Sequence, residues 1–269
     1  MAGRFEMLRT MGALLRLWPR VLQGVRQDVR QRYVGSLFGA AWAVLFPLLQ
    51  LSVYAGLYVF VLRVRPSGLT VGDYIVLVFS GLVSLMAFNE VINATTNSLT
   101  VNKSLLLNTV FPAELIPVRA ALAAQVPPLC GLLIVLIAGY TVGQTSWQAI
   151  LLVPVFWVLL LMFAMGIGWM LSLLSLVIKD IQHVLGIVLM MVTMLSPFAY
   201  TPDMVPALLK PIIYMNPMSY FVMTFQKLIC YGTWPDLPVA AVAAMLGIGL
   251  FLAGFAVFQK AKRFFFDYV

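Results

Sequence analysis

Hydrophobic residues fill 62% of the 269 positions and charged ones 10%, too little polar surface to cover a soluble globule of this size, so the chain reads as a polytopic membrane protein. The formal charge of +8 does not indicate nucleic acid, because Lys and Arg concentrate at both ends beside apolar runs, where they act as topology signals and contacts to anionic lipid or an acidic partner. Two cysteines, Cys130 inside an apolar run and Cys230 outside one, form no evident disulfide framework, and redox chemistry is not expected.

At ~20 residues per spanning helix the chain has room for roughly six spans. We expect an all-α membrane protein: an amphipathic interface helix in residues 1–36, then one integral domain over 37–269. No short apolar core with a small-residue cleavage site opens the sequence, so no removable signal peptide is expected, and the first span serves for insertion.

Between Leu14 and Val29 the residues Leu14, Trp18, Val21, Leu22, Val25 and Val29 share one helical face, while Arg16, Arg20, Gln23, Gln27 and Arg30 share the other. This predicts an interfacial helix, broken near Pro19. Its polar end, with Arg26, Arg30 and Arg32, runs straight into span one at about 37–62, and clustered positive charge beside a span marks the cytoplasmic side.

Span two is placed at about 74–97. Its apolar run stops after Phe88, and Asn89, Asn93 and Thr96 or Asn97 recur at helical spacing with Glu90 adjacent, so the inner half has a polar face. Glu90 at that depth is a functional candidate, or else it sits wet among the headgroups. Lys103–Pro117 is too short and broken to span and lies inside by count. Span three, about 118–142, carries Pro127 and Pro128, which predict a kink. Span four covers about 147–178, and Lys179 and Asp180 form an interior turn. Span five is placed at about 183–200.

Thr201–Pro238 contains two amphipathic pieces and no spanning run. Met204, Val205, Leu208, Leu209, Ile212 and Ile213 form one apolar stripe. After Asn216 as a cap and Pro217 at the first helical position, Phe221, Val222, Phe225 and Leu228 form another. Together these predict a short re-entrant or interfacial hairpin of two helices, each roughly three turns long. Span six, about 237–258, leads to a tail bearing Lys260, Lys262 and Arg263. With six spans both termini lie inside, and of the basic residues flanking the spans only Arg63, Arg65, Lys210 and Lys227 fall outside, as the positive-inside rule requires. Making Thr201–Pro238 a seventh crossing would put the basic tail outside.

The sequence carries no G-x-x-x-x-G-K-[ST] loop. One histidine, His183, and scattered carboxylates offer no metal cluster, triad or paired general acid and base. An enzyme such as an acyltransferase or glycosyltransferase has little residue support.

The wording of the chain resembles a known family. Asp28-Val29-Arg30-Gln31-Arg32-Tyr33, then Ser36, Leu37, Gly39, Trp42 and Pro47, is similar to the first-span signature of permease subunits of bacterial ABC-2 type polysaccharide exporters. Asn102 with Phe111-Pro112, Lys179-Asp180, the segment from Ser196 to Pro206, Asn216 to Tyr220, and Phe266-Asp267 extend the likeness over nearly the whole chain. The resemblance implies the transmembrane subunit of an exporter of lipid-linked polysaccharide, O-antigen or teichoic acid, in the bacterial inner membrane. It implies a homodimer with two ATPase subunits that hold ATP and magnesium, and no cofactor in this chain. Arg30, Arg32, Asn102, Phe111, Pro112, Lys179 and Asp180 are the expected coupling residues. For a channel that meets sugar through aromatic faces and amides, Tyr54, Tyr58, Phe88, Asn89 and Asn93 are the expected lining, although aromatic residues in spans also pack or sit at the interface. Asn216, Pro217, Phe221 and Phe225 are the expected exit gate, unless the hairpin simply rests on the membrane. A permease for a small drug or simple lipid, and a membrane enzyme of glycan or lipid assembly, are the alternatives.

Overall fold

The structure is a computed structural model that describes residues 2–61, 63, 68–102, 112–142 and 145–265. Among the described residues every regular element is helical. Helix α1, Ala2–Tyr33, runs unbroken through Pro19, where a break was predicted. A 3-10 turn, Gly39–Ala41, opens α2, Trp42–Ala55, which passes into a π-helical stretch, Gly56–Val61. Then follow α3, Val71–Val101, α4, Leu115–Ala124, α5, Val126–Val142, and α6, Trp147–Val177. Helix α7, Ile181–Leu195, precedes a 3-10 turn, Pro202–Met204, then α8, Lys210–Met215, α9, Pro217–Ile229, and α10, Leu237–Phe265.

Among the described residues, five helical stretches are long and apolar enough to cross a membrane: Gly39–Val59, Val71–Val101, Leu115–Val142, Trp147–Val177 and Leu237–Ala261. The second predicted span is longer than the sequence suggested and is the hub of the bundle, with 78% of its most apolar window buried. Its start is set by a capping box, in which Thr70 Oγ1 accepts from Asp73 N at 3.2 Å and Asp73 Oδ2 accepts from Thr70 N at 3.0 Å. Its buried hydroxyls are satisfied within the helix itself: Ser80 donates to Leu77 O, Ser84 to Gly81 O, Thr95 to Val91 O, Thr96 to Ile92 O and Ser98 to Thr95 O. A polar residue that bonds back to its own helix makes no demand on its neighbours.

The third predicted span is interrupted just before its prolines. Pro127 and Pro128 lack N–H groups and their rings crowd the carbonyls of Ala123 and Ala124, so α4 ends and α5 begins at Gln125. The Gln125 side chain fills the gap by donating to Ala87 O on α3 at 3.2 Å.

Helices α6 and α10 touch backbone to backbone. A Cβ on Gly254 would lie 2.1 Å from the carbonyl oxygen of Gly166, and one on Gly247 would lie 2.7 Å from that of Leu159. Small residues permit such approach between membrane helices, which lack a hydrophobic drive to associate. Aromatic rings close the core around this pair, with Phe88 stacked on Phe163 at 5.5 Å and Trp169 against Phe251 and Phe255.

The fifth predicted span is a shorter helix than expected, Ile181–Leu195, followed by non-helical Ser196–Tyr200. Pro197 stops the helix. The first stripe of the following segment also departs from the prediction. Prolines 202, 206 and 211 divide it into the 3-10 turn and the six residues of α8, and of its apolar residues Ile213 is buried while Leu208, Leu209, Ile212 and Met204 are exposed. The second stripe is as drawn: Phe221, Val222, Phe225 and Leu228 are fully buried on α9.

Candidate functional site

The polar groups gather at the two ends of the bundle. One end is marked by α1. Its residues Asp28 and Arg32, one helical turn apart, reach different helices: Arg119 of α4 donates to both carboxylate oxygens of Asp28, through Nε at 2.6 Å, and Arg32 donates to Glu90 of α3 at 2.9 Å. Between α1, α3 and α4 lies a groove of about 490 Å³ with Gln27, Gln31, Asn97 and Asn102 along it and alanines at its base.

The same end collects the termini of the long helices. Gln182, at the start of α7, donates to Asn97 on α3, Ser175 of α6 donates to Thr96 O at 2.6 Å, and Asn102 donates to Ser98 O. Buried Glu114 accepts from Gln259 of α10 at 3.0 Å, while its carbonyl accepts from Trp169 Nε1. Lys179 and Asp180 form the exposed turn between α6 and α7, and Arg30 is exposed on α1. The expected coupling residues Arg30, Arg32, Asn102, Pro112, Lys179 and Asp180 therefore stand at or next to one end. Phe111 lies outside the described residues, as do Phe266 and Asp267.

The opposite end is built around the start of α3. Tyr74 donates to Ala199 O at 2.8 Å, the Cys230 thiol donates to Asp73 O at 3.3 Å, and Thr145 donates to Ile229 O at 2.6 Å. Asn216 is the corner of the hairpin. Its Oδ1 accepts from Met218 N at the head of α9, and its Nδ2 donates to Val192 O at 3.0 Å and to Ser196 Oγ at 2.8 Å. Gln226 of α9 donates to the carbonyls of Pro197 and Phe198, which have no helical partner after α7 ends. Phe221 and Phe225 point inward, against Phe163 and Trp157 of α6, with centroids at 5.3 and 5.9 Å. Burial, with the Asp73 carboxylate nearby, pushes the Cys230 thiol up to about 12.

The residues offered as channel lining separate into three environments. Tyr54 and Tyr58 stack on each other at 6.5 Å and meet the edge of Phe198, toward the hairpin end. Phe88 is buried in the core. Asn89 donates to Thr193 of α7 at 3.2 Å and leaves its buried Oδ1 without a partner among the described residues, and Asn93 is exposed, both toward the α1 end.

Sequence reasoning gave no role to Glu114 or Gln259, gave none beyond topology to Arg119, and met Asp28 only as part of the first-span wording. Asp28 is the one acid in a stretch of arginines, and Arg119 is a lone cation within an apolar run. Those two oddities were the available signal for an ion pair.

A family described as ABC-2 type transporter matches residues 21–230. Among curated proteins, the chain is similar to an O-antigen export system permease protein, RfbA, of Klebsiella pneumoniae, 25% identical with 88% of this chain and 89% of the relative covered. It is 22% identical to the protein of that name from Myxococcus xanthus, over 96% of this chain and 98% of the relative. It is 22% identical to the polysialic acid transport protein KpsM of Escherichia coli, over 88% and 91%.

Proposed function

The chain belongs to the ABC-2 type transporter family, and from that premise we propose that it is the membrane-spanning subunit of an ATP-driven exporter of lipid-linked, O-antigen-like polysaccharide in the bacterial inner membrane. The observation that carries the reading is the near end-to-end likeness to permeases whose names specify O-antigen or polysialic acid. A likeness over 88% to 96% of the chain supports a reading of the whole arrangement of spans and connections, not of one shared motif. ATP and magnesium belong to a separate ATPase subunit, two copies acting on a homodimer of this chain.

We count six crossings. Gln182 stands beside Asn97, Thr193 beside Asn89, Phe198 against Gly81, and Ala199 at Tyr74. Residues 181–200 thus run antiparallel to α3 from one of its ends to the other, which supports Ile181–Leu195 and its non-helical tail as the remaining crossing. An even count puts both termini on one side, and the contacts of α1 through Asp28 and of α10 through Gln259 both lie at the same end. Arginines make that end the cytoplasmic one.

In this reading Arg30, Arg32, Asn102, Pro112, Lys179 and Asp180 receive the ATPase, while Phe111 joins them by its place in the sequence. Asn89 and Asn93 line the inner mouth of the path and Tyr54 and Tyr58 its outer part. The exit gate is the hairpin cornered at Asn216 and Pro217, and Phe221 and Phe225 are the root that holds it to the core. An ATPase cycle that bends the inner end then reaches the hairpin through α7, whose last turn carries the carbonyl of Val192 that Asn216 grips.

The test is a deletion strain. Lipid-linked polysaccharide should accumulate on the cytoplasmic leaflet and clear on complementation. Normal surface polysaccharide in the deletion, with flipping of a simple lipid or drug by the purified complex, would replace this reading with its nearest alternative.

A further inference from the structure

The two ion pairs of α1 are built differently, and the difference has mechanical meaning. At the first, Arg119 lies flat across α1 at Gly24: a Cβ there would stand 2.6 Å from Arg119 Cδ and Nε. Crossing at that point lets the guanidinium reach Asp28, one turn further along, with two donors on two oxygens, and the two side chains are 17% and 29% exposed. Fully buried Val21 completes the seat one turn before. A bidentate, shielded pair in a shaped recess holds both position and angle.

At the second, Arg32 offers one hydrogen bond to Glu90, and the arginine is 41% exposed. No recess holds it. Solvent reaches the pair and competes for both partners, so little resists its opening. Glu90 lies on α3 between Asn89 and Asn93, and one turn from Ala87, whose carbonyl holds Gln125 at the α4–α5 break.

We propose that α1 is hinged on the bundle at Gly24–Asp28–Arg119 and latched to it at Arg32–Glu90, so that Arg119 and Glu90 are positioning residues for coupling. The proposal deepens the exporter reading and rests on its ATPase partner. A force on α1 turns the helix about the seat. The latch at its far end parts first, baring the Glu90 carboxylate at the mouth of the path and freeing α3 next to the Gln125 joint. The guanidinium of Arg32 is released to solvent or to the partner at the same moment.

The experiment uses the full complex in liposomes, with Cys130 and Cys230 replaced by serine. One variant carries Arg32→Cys and Glu90→Cys, a second Asp28→Cys and Arg119→Cys, and each is treated with a bifunctional thiol reagent of ion-pair length. Cross-linking at 32/90 should fall severalfold between the nucleotide-free and vanadate-trapped states, while the yield at 28/119 stays constant. Closing 32/90 covalently should abolish the coupling of ATP hydrolysis to export, and closing 28/119 should preserve it. As a further readout, the charge swap Arg32→Glu with Glu90→Arg should restore coupling that either single reversal loses. Equal, nucleotide-independent yields at both pairs would overturn the hinge and latch, as would full coupling with 32/90 closed. Cross-linking yields need no export assay, so they judge the proposal even if the cargo is not a polysaccharide.

Discussion

Gly166 of α6 and Gly254 of α10 face each other with no room for a side chain: a Cβ on Gly254 would lie 2.1 Å from the Gly166 carbonyl oxygen. The neighbouring atoms are backbone, which cannot rotate away. Gly254→Val should therefore force the two helices apart and cost at least ~1–3 kcal/mol, read as lost thermal stability in detergent and a broadened size-exclusion peak. Gly249→Ala, on the same helix with nothing within 4 Å, should be silent. Equal stability of the two variants would contradict the packing.

Tyr74 ties the start of α3 to the non-helical segment after α7 through its bond to Ala199 O. Tyr74→Phe keeps the ring and strands a buried carbonyl, at a cost of about 1–3 kcal/mol. Thermal unfolding of the purified protein measures it, and an unchanged midpoint would mean that another donor serves Ala199.

Asn216 caps α9 and also donates to Val192 O and Ser196 Oγ. Asn216→Ala should lose the cap, worth about 1 kcal/mol, and loosen the hairpin from α7. Protease accessibility of the 201–238 segment should rise. Asn216→Asp keeps the cap acceptor but removes the donor, so it separates the two roles.

The Cys230 thiol is buried, and burial pushes its pKa up to about 12. The reactive thiolate appears only as pH approaches that value, so maleimide at neutral pH should leave Cys230 unmodified in the folded protein and modify it after denaturation. Labelling of the folded protein at pH 7 would show that the hairpin opens.

Single cysteines at Gly3 and at Val269, in a background without Cys130 and Cys230, should both resist an impermeant reagent applied from outside. External labelling of one alone would leave an odd number of crossings and remove Ile181–Leu195 from the count.

The long apolar helices were legible because apolar runs and flanking arginines are one-dimensional signals. Asn216-Pro217 was legible for a similar reason: a cap followed by a proline announces a helix start locally. The exposure of Leu208, Leu209 and Ile212 was not, since a periodic stripe records which residues share a face and not whether three prolines let that face form one helix. Phe88 misled in the opposite sense. An aromatic beside a polar face reads as a surface for sugar, yet the residue turns inward onto Phe163. Arg119 with Asp28 pairs residues 91 positions apart, a relation that exists only once α1 folds back on α4.

The hydroxyls of α3 bear on biosynthesis. This helix ends as the most enclosed of the long ones, but α6 and α9, which cover much of it, are made later. During that interval Ser80, Ser84, Thr95, Thr96 and Ser98 already have their acceptors one turn back in the same helix, so the segment can wait in lipid without an unpaid desolvation penalty. One carboxylate oxygen of Asp73, Oδ2, is held by Thr70 in the same way. The hub of the bundle is thus able to leave the ribosome and settle in the bilayer before any of its later neighbours exists.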